Sequence, residues 1–134
     1  MGFDLAGRSA LVTGSSRGVD RGIAEGLVAE GCRVAINGRD RKAVAAVSSV
    51  LHNSVSVPGD VSTSDGAAAV VAETIQALGG LDVLVCNVGG GQSVPPGEET
   101  LDEWQRVFAL NLWSTTNMVQ AARAALTASG GSIV

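Results

Sequence analysis

Between Leu11 and Leu27 the chain reads LVTGSSRGVDRGIAEGL. Gly14 and Gly18 are spaced G-x-x-x-G, with Ser15, Ser16 and Arg17 between them, where a short apolar run stops and a helical pattern starts. A helix N-terminus carries unpaired N–H groups and a partial positive charge. A phosphate can settle on those groups when no side chain stands in its way, which is what glycine provides. Alone, such spacing marks many turns; its place after a strand and before a helix makes it a candidate phosphate cradle. A second group follows the next apolar run, at Ile36-Asn37-Gly38-Arg39. Dinucleotide sites that prefer NAD place a carboxylate at this strand end for the ribose 2′-OH. None comes here before Asp40. Arg39 instead offers a fork of donors suited to a 2′-phosphate, and Arg17 can meet that phosphate from the glycine turn. These residues point to NADP rather than NAD. The plainer alternative leaves Arg39 a solvated loop residue.

Such residues need a scaffold that brings strand ends together. Five short runs read as strands: Ser9 to Gly14, Arg33 to Asn37, Ser54 to Gly59, Leu81 to Gly89 and Gly131 to Val134. The first, second and fourth are nearly continuous in aliphatic residues, as expected of strands covered on both faces. Helical patterns lie between them. Gly18 to Glu30 has apolar Val19, Ile23, Leu27 and Val28; Arg41 to Leu51 has Val44, Val47, Val50 and Leu51; Ser64 to Leu78 ends on Gly79 as a C-cap. Thr100-Leu-Asp-Glu103 reads as a capping box opening one long helix to Ala128. Strand and helix alternate, so a parallel sheet with right-handed crossovers is expected. The fold class predicted is α/β, a doubly wound Rossmann-type sheet of strand order 3-2-1-4-5, ending in strand 5. Ligands of such sheets bind at the carboxyl ends where the order reverses, between strands 1 and 4.

Composition narrows the function. The 134 residues suit one domain, 1–134, and 46% apolar with 16% charged residues is a globular composition. A net charge of −4 argues against nucleic acid or an anionic membrane as partner. No apolar run approaches membrane-spanning length. The N-terminus has no basic region followed by a long apolar one, so a signal peptide is not expected. Cys32 and Cys86 are far apart and not in a metal spacing, so no metal is expected and a reducing, cytoplasmic setting is.

With those residues in place, the chain resembles the short-chain dehydrogenases/reductases. TGSSRGVD matches that family's T-G-x-x-x-G-x-G turn; Gly59-Asp60-Val61 matches the segment after strand 3; Cys86-Asn87-Val88-Gly89 resembles its N-N-A-G motif. Asn111 to Met118 resembles its long interface helix, and GGSIV the start of its strand 5. The likeness covers the entire chain and is nearest the NADP-preferring reductases of ketoacyl-reductase type. It implies that Gly14, Ser16, Arg17, Gly18 and Val19 line the phosphates, that Asp60 and Val61 hold adenine, and that Asn87 and Gly89 lie by the ribose. It further implies hydride transfer to or from a small carbonyl or alcohol, and a homo-oligomer through the helix from Thr100. Plainer roles are a turn for Asp60, a strand-end cap for Asn87, solvation for His52, and packing or subunit contact for Trp104 and Trp113.

Two departures stand out. Asp20 occupies the place of the family's third glycine. Either its side chain turns outward while Gly22 relieves the packing, or its charge weakens cofactor binding by competing for the same N–H groups. The second departure is larger. The family's proton transfer uses a Ser after strand 5 and a Y-x-x-x-K motif. This chain has no tyrosine, and its one lysine is Lys42. Of the catalytic group only Asn111 remains, where the resemblance implies an anchor for a water leading to the lysine. The 134 residues are therefore expected to be the cofactor-binding part, incomplete at the C-terminus and inactive alone. A non-catalytic nucleotide-binding or interaction module is the alternative.

Overall fold

A computed structural model describes residues 2–134. Five parallel strands form one sheet in the order β3-β2-β1-β4-β5. They are β1 (Ser9–Val12), β2 (Arg33–Ile36), β3 (Ser54–Ser56), β4 (Val83–Val85) and β5 (Ser132–Ile133). Helices α1 (Gly18–Ala29), α2 (Arg41–Val50), α3 (Ser64–Leu78), α4 (Leu101–Phe108) and α5 (Ser114–Ser129) connect them. The strands are shorter than their apolar runs, but inter-strand bonds continue past them: the Thr13 N–H donates to Val85 O at 3.0 Å and the Val57 N–H to Ile36 O at 2.8 Å.

Successive strand side chains point to opposite faces, and both faces are buried. Ala10, Val12, Val34, Ile36 and Val85 pack with Ala24, Val44 and Val47 of α1 and α2. Leu11, Ala35 and Leu84 pack with Val70, Val71, Met118 and Ala122 of α3 and α5. That double cover explains the unalternating runs. Two apolar positions of the α1 and α2 patterns nevertheless lie outside: Val19 and Val50 are exposed. Gly79 closes α3 with φ +82°, its N–H donating to Ile75 O at 2.7 Å.

The long helix expected from Thr100 to Ala128 is continuous over residues 101–129 but widens midway. Residues Ala109–Trp113 form a π-helical turn between α4 and α5. Side-chain donors capture ladder carbonyls there: Asn111 Nδ2 donates to Val107 O at 3.0 Å and Ser114 Oγ to Leu110 O at 2.6 Å. Hydroxyl and amide groups that compete for i−4 carbonyls disturb a helix in this way, and π turns collect at functional sites. Only half of the capping box forms. Thr100 Oγ1 accepts from the Glu103 N–H at 3.2 Å, but the Glu103 carboxylate turns to Arg106 and Ser93 instead.

Candidate functional site

The carboxyl ends of β1, β2, β3 and β4 open into a cleft of about 940 Å³. All ten residues predicted to hold a dinucleotide line it: Gly14, Ser16, Arg17, Gly18 and Val19 from the glycine turn, Arg39 after β2, Asp60 and Val61 after β3, and Asn87 and Gly89 after β4. Asn111 stands behind its wall. The exposed Val19 side chain, lost to the core, belongs to this cleft.

The glycine turn is built as its spacing implied. Gly14 (φ +65°) and Gly18 (φ +61°) occupy the left-handed region. A Cβ on Gly14 would also stand 3.0 Å from Val88 Cγ2. Arg17 is the N-cap of α1 and supplies no side-chain cap, so the first-turn amides receive no side-chain acceptor from it. Neither Arg17 nor Arg39 forms an ion pair among the described residues.

One residue essential to this geometry escaped sequence reasoning. Asn37, fully buried at the end of β2, joins three strand ends. Its Oδ1 accepts from the Gly14 N–H at 3.3 Å, and its Nδ2 donates to Val57 O at 3.0 Å and Gly59 O at 3.3 Å. Its backbone N–H donates to Ser15 Oγ at 3.0 Å, and its carbonyl accepts from the Ser15 N–H at 2.7 Å. The one signal in the sequence is a lone amide closing an apolar strand. Asn37→Ala removes three side-chain bonds and strands buried partners, at a cost of about 1–3 kcal/mol. The expected result is a lower urea midpoint with an unchanged slope.

Asp60 Oδ1 accepts from the Ser62 N–H at 2.9 Å and the Ser62 hydroxyl at 2.7 Å, the turn role foreseen as its plainer alternative. Burial pushes its pKa up, but those two bonds and the Arg39 charge outweigh it and hold the carboxyl below its ordinary range. Asn87 is exposed in the cleft and makes no side-chain hydrogen bond among the described residues, so its amide does not cap the strand end. Cys86 is partly buried against the α3–α5 face of the core, and that burial pushes its thiol up to about 11.

Asn111 clamps the far wall. Its Oδ1 accepts from the Gly90 N–H at 2.9 Å and its Nδ2 donates to Gly90 O at 3.0 Å. A Cβ on Gly89 would lie 2.8 Å from that Oδ1, so the glycine admits the amide. Beside it, Arg106 Nη2 donates to Gln92 O at 2.9 Å, and Arg106 Nε to Glu103 Oε2 at 2.9 Å. Ser93 Oγ donates to Glu103 Oε1 at 3.0 Å. The irregular segment after β4 is thereby tied to α4. Hydrogen bonds from Arg106, then from Ser93, bring the Glu103 carboxyl from 4.5 to about 2. This tie contributes fully above pH 4.5 and is lost as pH falls through about 2. A carboxyl-carbon NMR titration is expected to place the Glu103 midpoint near 2, and Arg106→Gln to move it back toward 4.5.

Asp20 does not turn outward. Its carboxylate faces the cleft, with Oδ1 shielded from solvent and without a hydrogen-bond partner, and Oδ2 3.5 Å from the place of a Gly14 Cβ. Gly22 gives no packing relief, since it is exposed and a Cβ there would meet nothing within 4 Å.

Comparison with known proteins bears on this arrangement. The family model described as short chain dehydrogenase matches residues 8–134. The chain is 38% identical over 113 residues to a glucose 1-dehydrogenase of Gluconobacter oxydans, covering 81% of this chain and 42% of that protein. It is 35% identical over 127 residues to a sorbitol dehydrogenase of Cereibacter sphaeroides, covering 94% and 50%. The chain thus spans about half the length of the curated relatives it matches. Among solved structures, L-sorbose reductase from Gluconobacter frateurii, complexed with NADPH and L-sorbose, superposes with a TM-score of 0.93 at 29% identity. That superposition covers 99% of this chain and 53% of the reductase.

Proposed function

The chain belongs to the short-chain dehydrogenase family, and we propose that its cleft takes NADP as the cofactor-holding part of an oxidoreductase acting on a small carbonyl or alcohol. One observation carries this reading: first-turn amides of α1 with no cap from the Arg17 side chain, and two arginines without ion-pair partners among the described residues, border one cleft. Backbone amides at a helix N-terminus suit a diphosphate, and guanidiniums suit a 2′-phosphate. The L-sorbose reductase that superposes on this chain is complexed with NADPH, which supports the same cofactor here.

When bound, NADP supplies or accepts the hydride. Gly14, Ser16, Gly18 and Val19 border the diphosphate, and Arg17 and Arg39 draw the 2′-phosphate. Asp60, held ionised and oriented by Ser62, and the neighbouring Val61 flank the adenine. Asn87 and Gly89 flank the ribose. Asn111 keeps the Gly90 peptide in place and so positions that wall.

Leu101, Trp104, Phe108 and Leu112 are exposed at helical spacing along α4 and the π turn, with Trp113 beside them. Trp104 and Phe108 rings lie 6.0 Å apart. Large contiguous apolar exposure marks contact surfaces, and a second copy of the chain is the partner proposed for it. Cys32 and Cys86 are free thiols, in keeping with a reducing, cytoplasmic compartment. No helix is long and apolar enough to cross a membrane among the described residues.

Calorimetric titration with NADP and with NAD tests the reading. Saturable binding of NADP, tighter than NAD, is the expected result. Equal affinities remove the case for the two arginines, and no binding of either removes the proposal.

A further inference from the structure

Among the described residues, the only solvent-shielded side-chain oxygen or nitrogen left without a hydrogen-bond partner is Asp20 Oδ1. It sits in the first turn of α1 and faces the cleft beside Gly14. No cation among the described residues pairs with it. Arg21 is engaged with Glu25 at 2.8 Å, and Arg17 forms no ion pair. Nor does the carboxylate cap the helix, since none of its bonds reaches a first-turn N–H.

A helix N-terminus favours an anion, and here an anion already faces it. A ligand bringing a diphosphate to the same amides meets a like charge in a partly desolvated place. Like charges interact more strongly there than in bulk water. We propose that Asp20 is a specificity residue of the cleft: its inward carboxylate lowers the affinity for ligands that place a diphosphate on the glycine turn, and leaves the adenine and 2′-phosphate end untouched. This rests on the NADP reading above.

Calorimetry with two ligands separates the inference from that reading. NADP brings the diphosphate; adenosine 2′-monophosphate keeps adenine, ribose and 2′-phosphate without it. Both are titrated at one ionic strength into the parent chain, Asp20→Asn and Asp20→Ala, each checked for an intact thermal transition. Asn keeps the shape and removes the charge. Ala removes charge and side chain, adds no donor, and keeps a good helix former.

The expected result is that both substitutions tighten NADP about tenfold and leave adenosine 2′-monophosphate unchanged. Unchanged or weaker NADP binding in either variant overturns the inference. Tightening by Asn alone does so too, since it means an added amide donor rather than a relieved repulsion. Equal tightening of both ligands overturns it by placing the effect elsewhere. If neither ligand binds any of the three proteins, the NADP reading falls and takes the inference with it.

Discussion

Replacing both Arg17 and Arg39 with alanine is expected to weaken NADP binding about a hundredfold while NAD affinity barely moves. The two guanidiniums line one cleft from different strand ends, Arg17 at the start of α1 and Arg39 after β2. Both are exposed, and neither spends its charge on an ion pair among the described residues. A hydrogen bond to a charged group contributes roughly 1.5–3 kcal/mol. Two bonds at the low end of that range, in a solvent-open cleft, give about 3 kcal/mol, which is about a hundredfold in affinity. NAD lacks the 2′-phosphate, so it offers these donors nothing to lose. Calorimetry of the double variant with each cofactor reads the difference directly. Equal losses for both would mean that the arginines act on the diphosphate or on the fold. Each single variant is then expected to show about half of the free-energy loss, since the two side chains act on one group from opposite sides.

The second expectation concerns chemistry. With NADPH and a panel of small ketones or aldehydes, the 134-residue chain is expected to give no turnover above background. A carbonyl that receives a hydride must also receive a proton. General acid–base help of that kind is commonly worth a factor of about 10²–10⁴. The chain has no tyrosine, and Lys42, its one lysine, is exposed on α2. Among the described residues, no tyrosine, lysine, histidine or cysteine lines the cleft. Asp60 is held below the ordinary carboxylate range, so it carries no proton to give at neutral pH. Arginines do not deprotonate. Cys86 adjoins the cleft-lining Asn87, but its thiol is pushed to about 11 and packs against the core. His52 is exposed in the connection between α2 and β3 and does not line the cleft. Spectrophotometric loss of NADPH is the readout, with cofactor binding established on the same sample. Robust reduction by these residues alone would falsify the view that they hold the cofactor without supplying the acid.

Much of the scaffold is legible in the amino-acid order. The aliphatic runs of β1, β2 and β4 lack alternation because both faces of the sheet are covered. Alternation of strand and helix, with the fixed hand of crossovers, then leaves little choice of order. Gly14 and Gly18 are legible for a similar reason: a turn that needs positive φ leaves a residue-level mark. Other features leave no such mark. Thr100 and Glu103 satisfy the capping-box pattern, yet Glu103 is drawn to Arg106 and Ser93, because a charged partner outbids a backbone amide. The π turn follows from where the Asn111 and Ser114 side chains find acceptors, and periodicity is blind to that.

The sequence by itself determined the order of elements, the two-sided core and the glycine turn that borders the cleft. These follow from apolar spacing, chain handedness and the special backbone of glycine, all of which act over a few residues. Tertiary structure alone decided that Asn37 ties three strand ends together, that Asp20 looks inward, and that Asn111 grips Gly90. Each of those outcomes depends on which distant backbone groups arrive beside a side chain. A polar group takes its bond from whatever neighbour the packed sheet presents, and that neighbour is set only once the strands have met.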